Sequence, residues 1–230
     1  MLNGIINVYK EVGFTSRDAV SKLTGILRQR KIGHTGTLDP AAEGVLPMCI
    51  GKATKLCELL TDHRKQYIAE IKFGIATDTE DTTGEIVEET GFSNEWYKEH
   101  LSEAVLSKVI SGFIGRQLQT PPMYSAKRVG GKRLYELARE GKVIERKPCE
   151  ITIYSIQIKN IDASRREAKI VVDCSKGTYI RTLCKDIGDE LGCKAAMKSL
   201  IRTKTGDFLL ENSYKLDEIE KLVKENRVSE

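Results

Sequence analysis

Gly33-His-Thr-Gly-Thr-Leu-Asp39-Pro40, closed by Gly44, is the stretch of sequence from which the interpretation of the whole chain starts. Its glycines allow the backbone to approach a ligand closely. Pro40 biases Asp39 towards an extended conformation, so we expect the carboxylate on a stiff loop, with His34 within reach of the same cavity if the loop folds back. A helix start is the open alternative, because Asp39 would suit an N-cap and Pro40 the first helical position.

Size and composition bound the class of protein. The 230 residues are enough for one large domain or two small ones, and 40% apolar with 30% charged residues is typical of a soluble globular protein. No segment is apolar for long enough to span a membrane. The N-terminus lacks the basic and apolar regions of a signal peptide.

The cysteines and acidic residues do not form a metal-binding pattern. The six cysteines are scattered without a C-x-x-C pair, and the three histidines are far apart in the sequence. The acidic run Asp78-Thr-Glu-Asp81 lacks the pattern of a calcium loop. We therefore expect reduced thiols, a cytoplasmic location and no bound metal.

Positive charge is concentrated in one segment. The whole chain carries a net charge of +4, but residues 116–147 hold nine Lys or Arg and three Glu, which gives this segment +6 and the remainder −2. A polyanion such as RNA would meet this segment first. An ordinary solvated basic loop is the alternative.

Hydrophobic periodicity predicts helices and strands without a regular βαβ order. Helices are expected from Thr15 onwards, across 97–109, just after Gly177-Thr178, and at 216–225. Strands are expected at 67–73, 152–158 and 168–174, with alternate residues buried. The pattern fails between about 112 and 150, which is typical of a long loop that is either functional or mobile. This mixture favours an α+β fold with a largely antiparallel sheet.

Several blocks, in the right order, resemble the TruB family, the tRNA pseudouridine-55 synthases. They run from Val8 to about Arg202, nearly the whole chain, so together they are far more specific than any one tripeptide. Besides the opening stretch, the matching blocks are Gly51-Lys-Ala-Thr-Lys55, Arg64-Lys-Gln-Tyr67, Thr77-Asp-Thr-Glu-Asp81, Gln119-Thr-Pro-Pro-Met-Tyr-Ser-Ala-Lys127 and Cys174-Ser-Lys-Gly-Thr-Tyr-Ile-Arg181-Thr.

The resemblance implies a fold and a reaction. The fold is that of the pseudouridine synthases, a mixed, largely antiparallel central sheet flanked by helices, with an RNA-binding insertion. The reaction is isomerisation of the T-loop uridine at position 55 of tRNA, in which the N-glycosidic bond breaks, the base turns, and C5 bonds to the ribose carbon. It involves no redox change or hydrolysis, so no cofactor is expected. The expected partner is the T-arm of tRNA, and the expected oligomeric state is a monomer.

By the same resemblance, three residues form the catalytic set. Asp39 matches the catalytic aspartate, whose carboxylate attacks or deprotonates the nucleoside. Arg181 matches the arginine that pairs with it, since a carboxylate in a water-poor cavity needs a partner to stay ionised. Tyr67 matches a tyrosine that can stack on the uracil and assist proton removal from C5. Without the family, Arg181 would be interpreted as a surface arginine and Tyr67 as a core aromatic residue.

Further matches concern substrate binding. Tyr179 and Leu200 correspond to walls of the uracil pocket, and His34 to the histidine that fills the space left by the flipped nucleotide. Lys55 is expected to contact phosphate or to have a structural role. Stacking and phosphate contacts in the insertion are expected from Tyr124, Lys127, Arg128, Lys132 and Arg133.

The resemblance also predicts the domain organisation. Residues 1–212 are expected to form the catalytic domain, with a basic RNA-binding insertion at 113–149, followed by a short helical tail at 213–230. Most family members continue into a C-terminal RNA-binding module, often a PUA domain, which we expect to be absent. Two other function classes remain open: an RNA-binding protein without turnover, and a nucleoside N-glycosidase that uses the same carboxylate and releases free uracil.

Overall fold

The structure, a computed structural model, describes residues 2–225. Its strands are β1 (Gly4–Lys10), β2 (Ile32–His34), β3 (Ala42–Ile50), β4 (Lys65–Phe73), β5 (Ile75–Thr77), β6 (Ile86–Glu89), β7 (Gly115–Gln119), β8 (Arg128–Val129), β9 (Lys132–Arg133), β10 (Cys149–Asp162), β11 (Glu167–Cys174), β12 (Ala195–Thr205), β13 (Phe208–Leu209) and β14 (Tyr214–Lys215). Its α-helices are α1 (Ser16–Leu27), α2 (Cys57–Thr61), α3 (Asn94–His100), α4 (Glu103–Ser111), α5 (Leu134–Arg139), α6 (Ile180–Glu190) and α7 (Leu216–Lys224). Two 3₁₀ turns lie at Gly51–Leu56 and Leu210–Asn212.

The chain divides into two compact units. The first unit is Met1–Tyr67 with Leu200–Glu230, and the second unit is Ile68–Ser199. Strands β4 and β12 contribute residues to both units. Within residues 2–225, every helix is too short or too polar to cross a bilayer.

The first unit is built on a mixed sheet in the order β14-β1-β3-β12. Strands β1 and β3 are antiparallel, whereas β12 runs parallel to β3 with Leu200 opposite Ala42. The short strand β2 pairs antiparallel with β3. Nearly all residues of β3 are buried, which is typical of a central strand covered on both faces.

Helices α1 and α7 complete the core of the first unit. Thr15 and Asp18 form a capping box, in which each side chain accepts a hydrogen bond from the other residue's backbone N–H. Helices α1 and α7 confirm the helices predicted from Thr15 and at 216–225. The predicted tail residues 226–230 lie outside the described residues. One hydrophobic cluster joins both helices to β1 and β3, and it contains Val8, Ala19, Leu23, Leu46, Met48, Leu216 and Ile219.

The second unit contains the strand order β4-β11-β10-β7. Strand β10 is antiparallel to both β11 and β7. On β4 and β11 the buried alternate residues are those that the periodicity predicted. Helix α6 begins at Ile180, as predicted, and buries Leu183 and Ile187. The predicted α+β fold with a mixed, largely antiparallel sheet is confirmed.

A stack of three aromatic rings lies at the start and along one face of α3. The ring centroids of Phe92 and Trp96 are 4.2 Å apart, and those of Trp96 and His100 are 4.0 Å apart. Beside them Tyr97 is fully buried, with the guanidinium of Arg166 4.5 Å from its ring centroid. The stack is thus local to α3 and the segment just before it, whereas the Arg166–Tyr97 contact joins the helix to the turn before β11.

Two predicted elements differ in detail. The single helix expected across 97–109 is two helices, because Ser102 adopts an extended backbone (φ −84°, ψ 156°) and starts α4 as its N-cap. On β10 the buried residues are Ile151, Ile153 and Ile156, so of the predicted positions 152, 154, 156 and 158 only Ile156 is buried. The register shift after Ile153 adds a residue to one strand, and such a bulge breaks the alternation.

The stretch between 112 and 150, expected to lack a pattern, contains short regular elements. Strand β7 is followed by a hairpin in which Val129 pairs with Lys132. Gly130 and Gly131 both have positive φ, 59° and 85°, which is the backbone that a two-residue hairpin turn requires. Helix α5 then follows directly. The prediction of an irregular loop is therefore wrong at these elements, and the hairpin is signalled by Gly130-Gly131 rather than by hydrophobic periodicity.

Candidate active site

Asp39 lies in a loop between β2 and β3, not at a helix start. The chain leaves the loop through a turn in which the Ala42 N–H donates to the Asp39 carbonyl oxygen at 3.0 Å, and Ala42 begins β3. The N-cap alternative is therefore wrong. The Asp39 side chain is half-buried, and Ala42 pairs with Leu200 on β12. The register thus brings Leu200, expected to wall the uracil pocket, next to the exit of the Asp39 loop.

Side chains and backbone from α1 and the segment before it hold the loop on both sides of Asp39. The Leu38 N–H donates to Ser16 Oγ at 2.8 Å, and Ser16 Oγ donates to the Leu38 carbonyl at 3.1 Å. The Gly13 N–H donates to the Pro40 carbonyl at 2.9 Å. The residues before and after Asp39 are thus both fixed by hydrogen bonds, and the carboxylate stands on a rigid support, as the sequence predicted.

A third support comes from Arg202 on β12, which the sequence interpretation missed. Its side chain is 1% exposed. Nη2 donates to the Gly36 carbonyl at 3.2 Å, Nη1 to the Thr37 carbonyl at 3.3 Å, and Nε to the Val45 carbonyl at 2.7 Å. One guanidinium therefore connects the entry of the loop with the strand that follows it.

Gly44 explains why the opening motif closes with glycine. Gly44 is opposite Arg202 in the β3–β12 pairing, and its φ is +110°. A Cβ atom at this position would collide with the backbone carbonyl oxygen of Arg202 and would lie 2.9 Å from its nitrogen. Only glycine accepts both this φ and this approach of the two strands.

Lys10 is a second buried cation that the sequence interpretation missed. Its side chain is fully buried, and Nζ donates to the carbonyls of Phe14 at 2.7 Å and Glu11 at 3.0 Å. Burial lowers the pKa of Lys10 to about 8; the negative charge of Asp39 opposes this shift and the positive charge of Arg202 adds to it. Lys10, Arg202 and Asp39 therefore lie in one electrostatic environment.

His34 occupies the end of β2, at the entry of the loop. Its ring is half-buried, and the Gly36 N–H donates to its Nδ1 at 3.3 Å. Burial lowers the pKa of His34, and the neighbouring charge of Arg202 lowers it further. We therefore assign a neutral imidazole at pH 7, with the proton on Nε2 because Nδ1 is an acceptor.

The other predicted residues of the first unit are placed as follows. Tyr67 lies on the buried side of β4 and is 7% exposed. Leu200, at 6% exposed, is adjacent to the loop exit described above. Lys55 belongs to the 3₁₀ turn after β3 and is exposed, as a phosphate-contacting lysine would have to be.

Arg181 lies in the first turn of α6 in the second unit and is 4% exposed. Nη1 donates to the Thr79 carbonyl at 2.7 Å and Nη2 to the Tyr124 carbonyl at 2.8 Å. Nε lies 3.8 Å from the Asp81 carboxylate. The interpretation as a surface arginine is therefore wrong, and the guanidinium is oriented by acceptors on two loops.

Asp81 makes the acidic run at 78–81 part of this support. Its Oδ1 accepts from Thr79 Oγ1 at 2.9 Å and from the Thr83 N–H at 3.0 Å, so the carboxylate that faces Arg181 is itself fixed. The neighbouring Glu80 accepts from Thr182 Oγ1 at 2.6 Å, and burial raises the pKa of Glu80. Within residues 2–225 no group of His, Cys, Asp and Glu side chains could hold a metal ion.

Tyr179 is the residue that precedes α6. Its N–H donates to Gln119 Oε1 at 2.8 Å, and its carbonyl accepts from Gln119 Nε2 at 3.0 Å. Two hydrogen bonds from one amide side chain therefore fix the backbone of Tyr179, while its own side chain is half-buried. Gln119 opens one of the sequence blocks described above, but its role could not be inferred from its position in that block.

The predicted RNA-binding residues lie around the β8–β9 hairpin, and their side chains are exposed or half-buried. The Tyr124 hydroxyl donates to Asp78 at 3.1 Å, and Lys127 Nζ lies 2.6 Å from Cys149 Sγ. Arg133 donates to the Tyr135 hydroxyl at 2.8 Å. Arg128 and Lys132 are exposed on the two strands of the hairpin.

Three comparisons with known proteins agree with one another. The chain is 54% identical over 229 residues to tRNA pseudouridine synthase B of Lachnoclostridium phytofermentans, covering 97% of this chain and 72% of that protein. It is 49% identical to tRNA pseudouridine synthase B of Alkaliphilus oremlandii, with 96% and 71% covered. Among solved structures, an H/ACA RNP bound to a substrate RNA containing 2′-deoxyuridine superimposes with a TM-score of 0.71 at 26% identity, over 99% of this chain and 56% of that one.

Family models give the same assignment. Residues 24–180 match the N-terminal domain of the TruB family pseudouridylate synthases, and residues 181–230 match the C-terminal domain of tRNA pseudouridylate synthase B. The first match includes Asp39 and Tyr67, and the second begins at Arg181. The chain belongs to the TruB family of pseudouridylate synthases.

Proposed function

We propose that this protein converts uridine 55 in the T-loop of tRNA to pseudouridine, with Asp39 as the catalytic carboxylate. Membership of the TruB family gives the reaction class, an isomerisation. The relatives named tRNA pseudouridine synthase B support tRNA as the substrate. The observation that carries the proposal is the Asp39 loop, which is held by hydrogen bonds on both sides of the carboxylate.

The loop suits this chemistry because the isomerisation of uridine needs one carboxylate in a fixed position. The glycosidic bond must break and the base must turn while it stays bound, so the reacting group has to be placed before the base moves. Asp39 has a rigid backbone on both sides. It then acts either as a nucleophile towards the nucleoside or as a base that removes a ribose proton.

Arg181 is proposed as the charge partner of Asp39. Its Nη atoms are oriented by two carbonyl oxygens and its Nε faces Asp81, so its orientation does not depend on the substrate. A guanidinium held in this way can form charge-assisted hydrogen bonds with a carboxylate. Such a partner favours the ionised form of a carboxylate in a site that excludes water.

The remaining site residues are proposed to bind the flipped uridine. Tyr67, Tyr179 and Leu200 would form an apolar pocket in which the uracil stacks on an aromatic ring. His34 would fill the space that the nucleotide leaves, since burial and Arg202 keep its imidazole neutral. A neutral ring can replace a stacked base without placing a buried charge in the RNA.

The insertion at 113–149 is proposed to hold the RNA backbone. The hairpin presents Arg128 and Lys132 to solvent, and the segment 116–147 carries a net charge of +6. Basic side chains next to Tyr124 would supply the phosphate and stacking contacts that RNA loops require. Lys55 would add a phosphate contact from the first unit.

Other properties follow from the same proposal. The reaction needs no metal and no cofactor, because its bond changes balance within one nucleoside. All six cysteines lie among the described residues and none forms a disulfide, which supports a reducing compartment such as the cytoplasm. We propose that the protein acts as a monomer on the tRNA T-arm, with 1–212 as the catalytic domain.

A tritium-release assay on unmodified tRNA transcript that carries [5-³H]uridine tests this function. The expected result is tritium release from the T-loop uridine alone, with the base still attached to the RNA. Release of free uracil would instead indicate an N-glycosidase. Firm tRNA binding without tritium release would contradict the enzymatic proposal and support an RNA-binding protein.

A further inference from the structure

Arg202 is a buried strand residue whose side chain donates hydrogen bonds to backbone carbonyls of other segments. Its side chain is 1% exposed, so removing a guanidinium from water here requires full compensation. The structure supplies three backbone carbonyls as acceptors. Two of them, from Gly36 and Thr37, belong to the loop that carries Asp39, and the third, from Val45, belongs to β3.

The geometry requires an arginine rather than any cation. The guanidinium donates from three nitrogen atoms in one plane, so it bridges acceptors on two separate segments. A lysine has a single nitrogen and would reach either the loop carbonyls or Val45. Because Thr37 is two residues before Asp39, a change in this bridge would move the backbone that carries the carboxylate.

The positive charge of Arg202 also affects the pKa values of residues near the Asp39 loop. It contributes to the lowered pKa of both His34 and Lys10. His34 stands at the loop entry, and Lys10 interacts with Asp39. The guanidinium thus lies close enough to the loop to act on its groups electrostatically as well as through hydrogen bonds.

We propose that Arg202 is a positioning residue for the isomerisation, which fixes the Asp39 loop by bridging Gly36 and Thr37 to Val45. It does not touch the substrate; it acts through the backbone on either side of the loop. This inference rests on the proposed function, because a positioning role requires that Asp39 is the catalytic carboxylate. It predicts that loss of the bridge lowers the rate of the chemical step and leaves RNA affinity unchanged.

Steady-state kinetics of Arg202→Lys and Arg202→Gln on tRNA test the inference. We expect kcat to fall about 10- to 100-fold, because misplacement of a reacting group by about 1 Å costs rate on this scale. The Kd for tRNA should stay within about threefold, since Arg202 has no RNA contact in the proposal. Arg166→Lys is the matched control, because Arg166 stacks over Tyr97 in the second unit and should leave kcat unchanged.

A second readout separates positioning from a merely structural role. The His34 pKa, followed by NMR, should rise in Arg202→Gln because a positive charge is removed from its surroundings. It should change less in Arg202→Lys, which keeps the charge. The combination of a low kcat in both variants, an unfolding temperature that stays well above the assay temperature and this graded titration would support the bridge.

The outcomes are distinct. A wild-type protein that forms no pseudouridine would contradict the proposed function. An active wild type with normal kcat in Arg202→Lys would contradict only the positioning role. Equal losses in kcat, RNA affinity and thermal stability, or failure of Arg202→Lys to fold, would assign Arg202 to the core instead.

Discussion

The Asp39 loop and the surroundings of Arg181 orient opposite charges in different ways. In the first unit, hydrogen bonds from surrounding residues hold the backbone next to a carboxylate, and one of these residues, Arg202, comes from a neighbouring strand. In the second unit, carbonyls and the carboxylate of Asp81 bind the guanidinium itself. The hydrogen bonds described for the first arrangement involve the backbone beside Asp39, whereas those of the second involve the guanidinium itself and use much of its donor capacity. The structure therefore fixes a loop backbone in the first unit and a side chain in the second, a difference that matches the unequal roles proposed for Asp39 and Arg181.

Replacement of Asp39 with Asn should have the largest effect. It tests whether the charge of Asp39 has a different role from that of Arg181. The amide keeps the shape and removes the negative charge, so pseudouridine formation should fall about a thousandfold or more. The loop hydrogen bonds are to backbone groups and persist, so tRNA affinity should stay close to that of the wild type. Tritium release and filter binding measure the two quantities. Activity near the wild-type level would remove Asp39 from the proposed role.

Arg181→Lys should have the next largest effect and disrupts the second arrangement. The lysine keeps the charge but cannot donate to the Thr79 and Tyr124 carbonyls in one plane, so kcat should fall about a hundredfold. Arg165→Lys is the control, because Arg165 is exposed and pairs with Asp162. If Arg181→Lys kept the wild-type kcat, the result would contradict the proposal that catalysis needs an oriented guanidinium at this position.

Gly44→Ala should disturb the Asp39 loop through the β3–β12 pairing, in which Gly44 lies opposite Arg202. The new Cβ would meet the backbone of Arg202 at a residue with φ of +110°, so we expect a loss of about 2–4 kcal/mol in the free energy of unfolding. Gly25→Ala is the control, since a Cβ at that position in α1 has no atom within 4 Å apart from its chain neighbours and the helix's own backbone. Urea denaturation measures both variants. Equal stabilities would show that β3 and β12 can separate at no cost.

Lys10→Met should have the smallest effect, and it tests the electrostatic environment of the Asp39 loop. Burial lowers the folded-state pKa of Lys10 from 10.5 to about 8, so between these values the unfolded chain binds more protons than the folded chain. The contribution of Lys10 to the free energy of unfolding therefore rises with pH in this window, by up to about 1.4 kcal/mol per pH unit. The stability of the wild type relative to the variant should rise accordingly.

The measurement for Lys10 is urea unfolding of both proteins at about pH 8 and at about pH 10. Lys52→Met is the control, because Lys52 is exposed at the start of a 3₁₀ turn. A stability difference between wild type and Lys10→Met that is the same at both pH values would show that folding does not lower the pKa of Lys10.

The sequence was sufficient for elements whose determinants are local. The capping box at Thr15 and the helical spacing after Thr178 each lie within one element, and α1 and α6 were predicted correctly. The alternation on β11 is likewise local. The break at Ser102 and the bulge after Ile153 were missed because the packing of the folded chain, not periodicity, decides them.

The site divides in the same way. Asp39 could be selected because its motif is contiguous in the chain. Arg202 could not, since its acceptors are more than 150 residues away in sequence and are brought to it only by the parallel pairing of β3 with β12. Lys10 and Asp81 have hydrogen-bond partners nearby in the sequence, but they were missed because their burial depends on the packing of the folded chain.

The aromatic stack on α3 gives the chain a natural optical label. Trp96 is its single tryptophan and lies between the rings of Phe92 and His100, in the unit that holds Arg181. Tryptophan emission therefore reports on the second unit, whereas far-ultraviolet circular dichroism reports on the whole chain. Coincidence of the two unfolding curves would identify a single cooperative transition, and a separation between them would measure the stability of the second unit by itself.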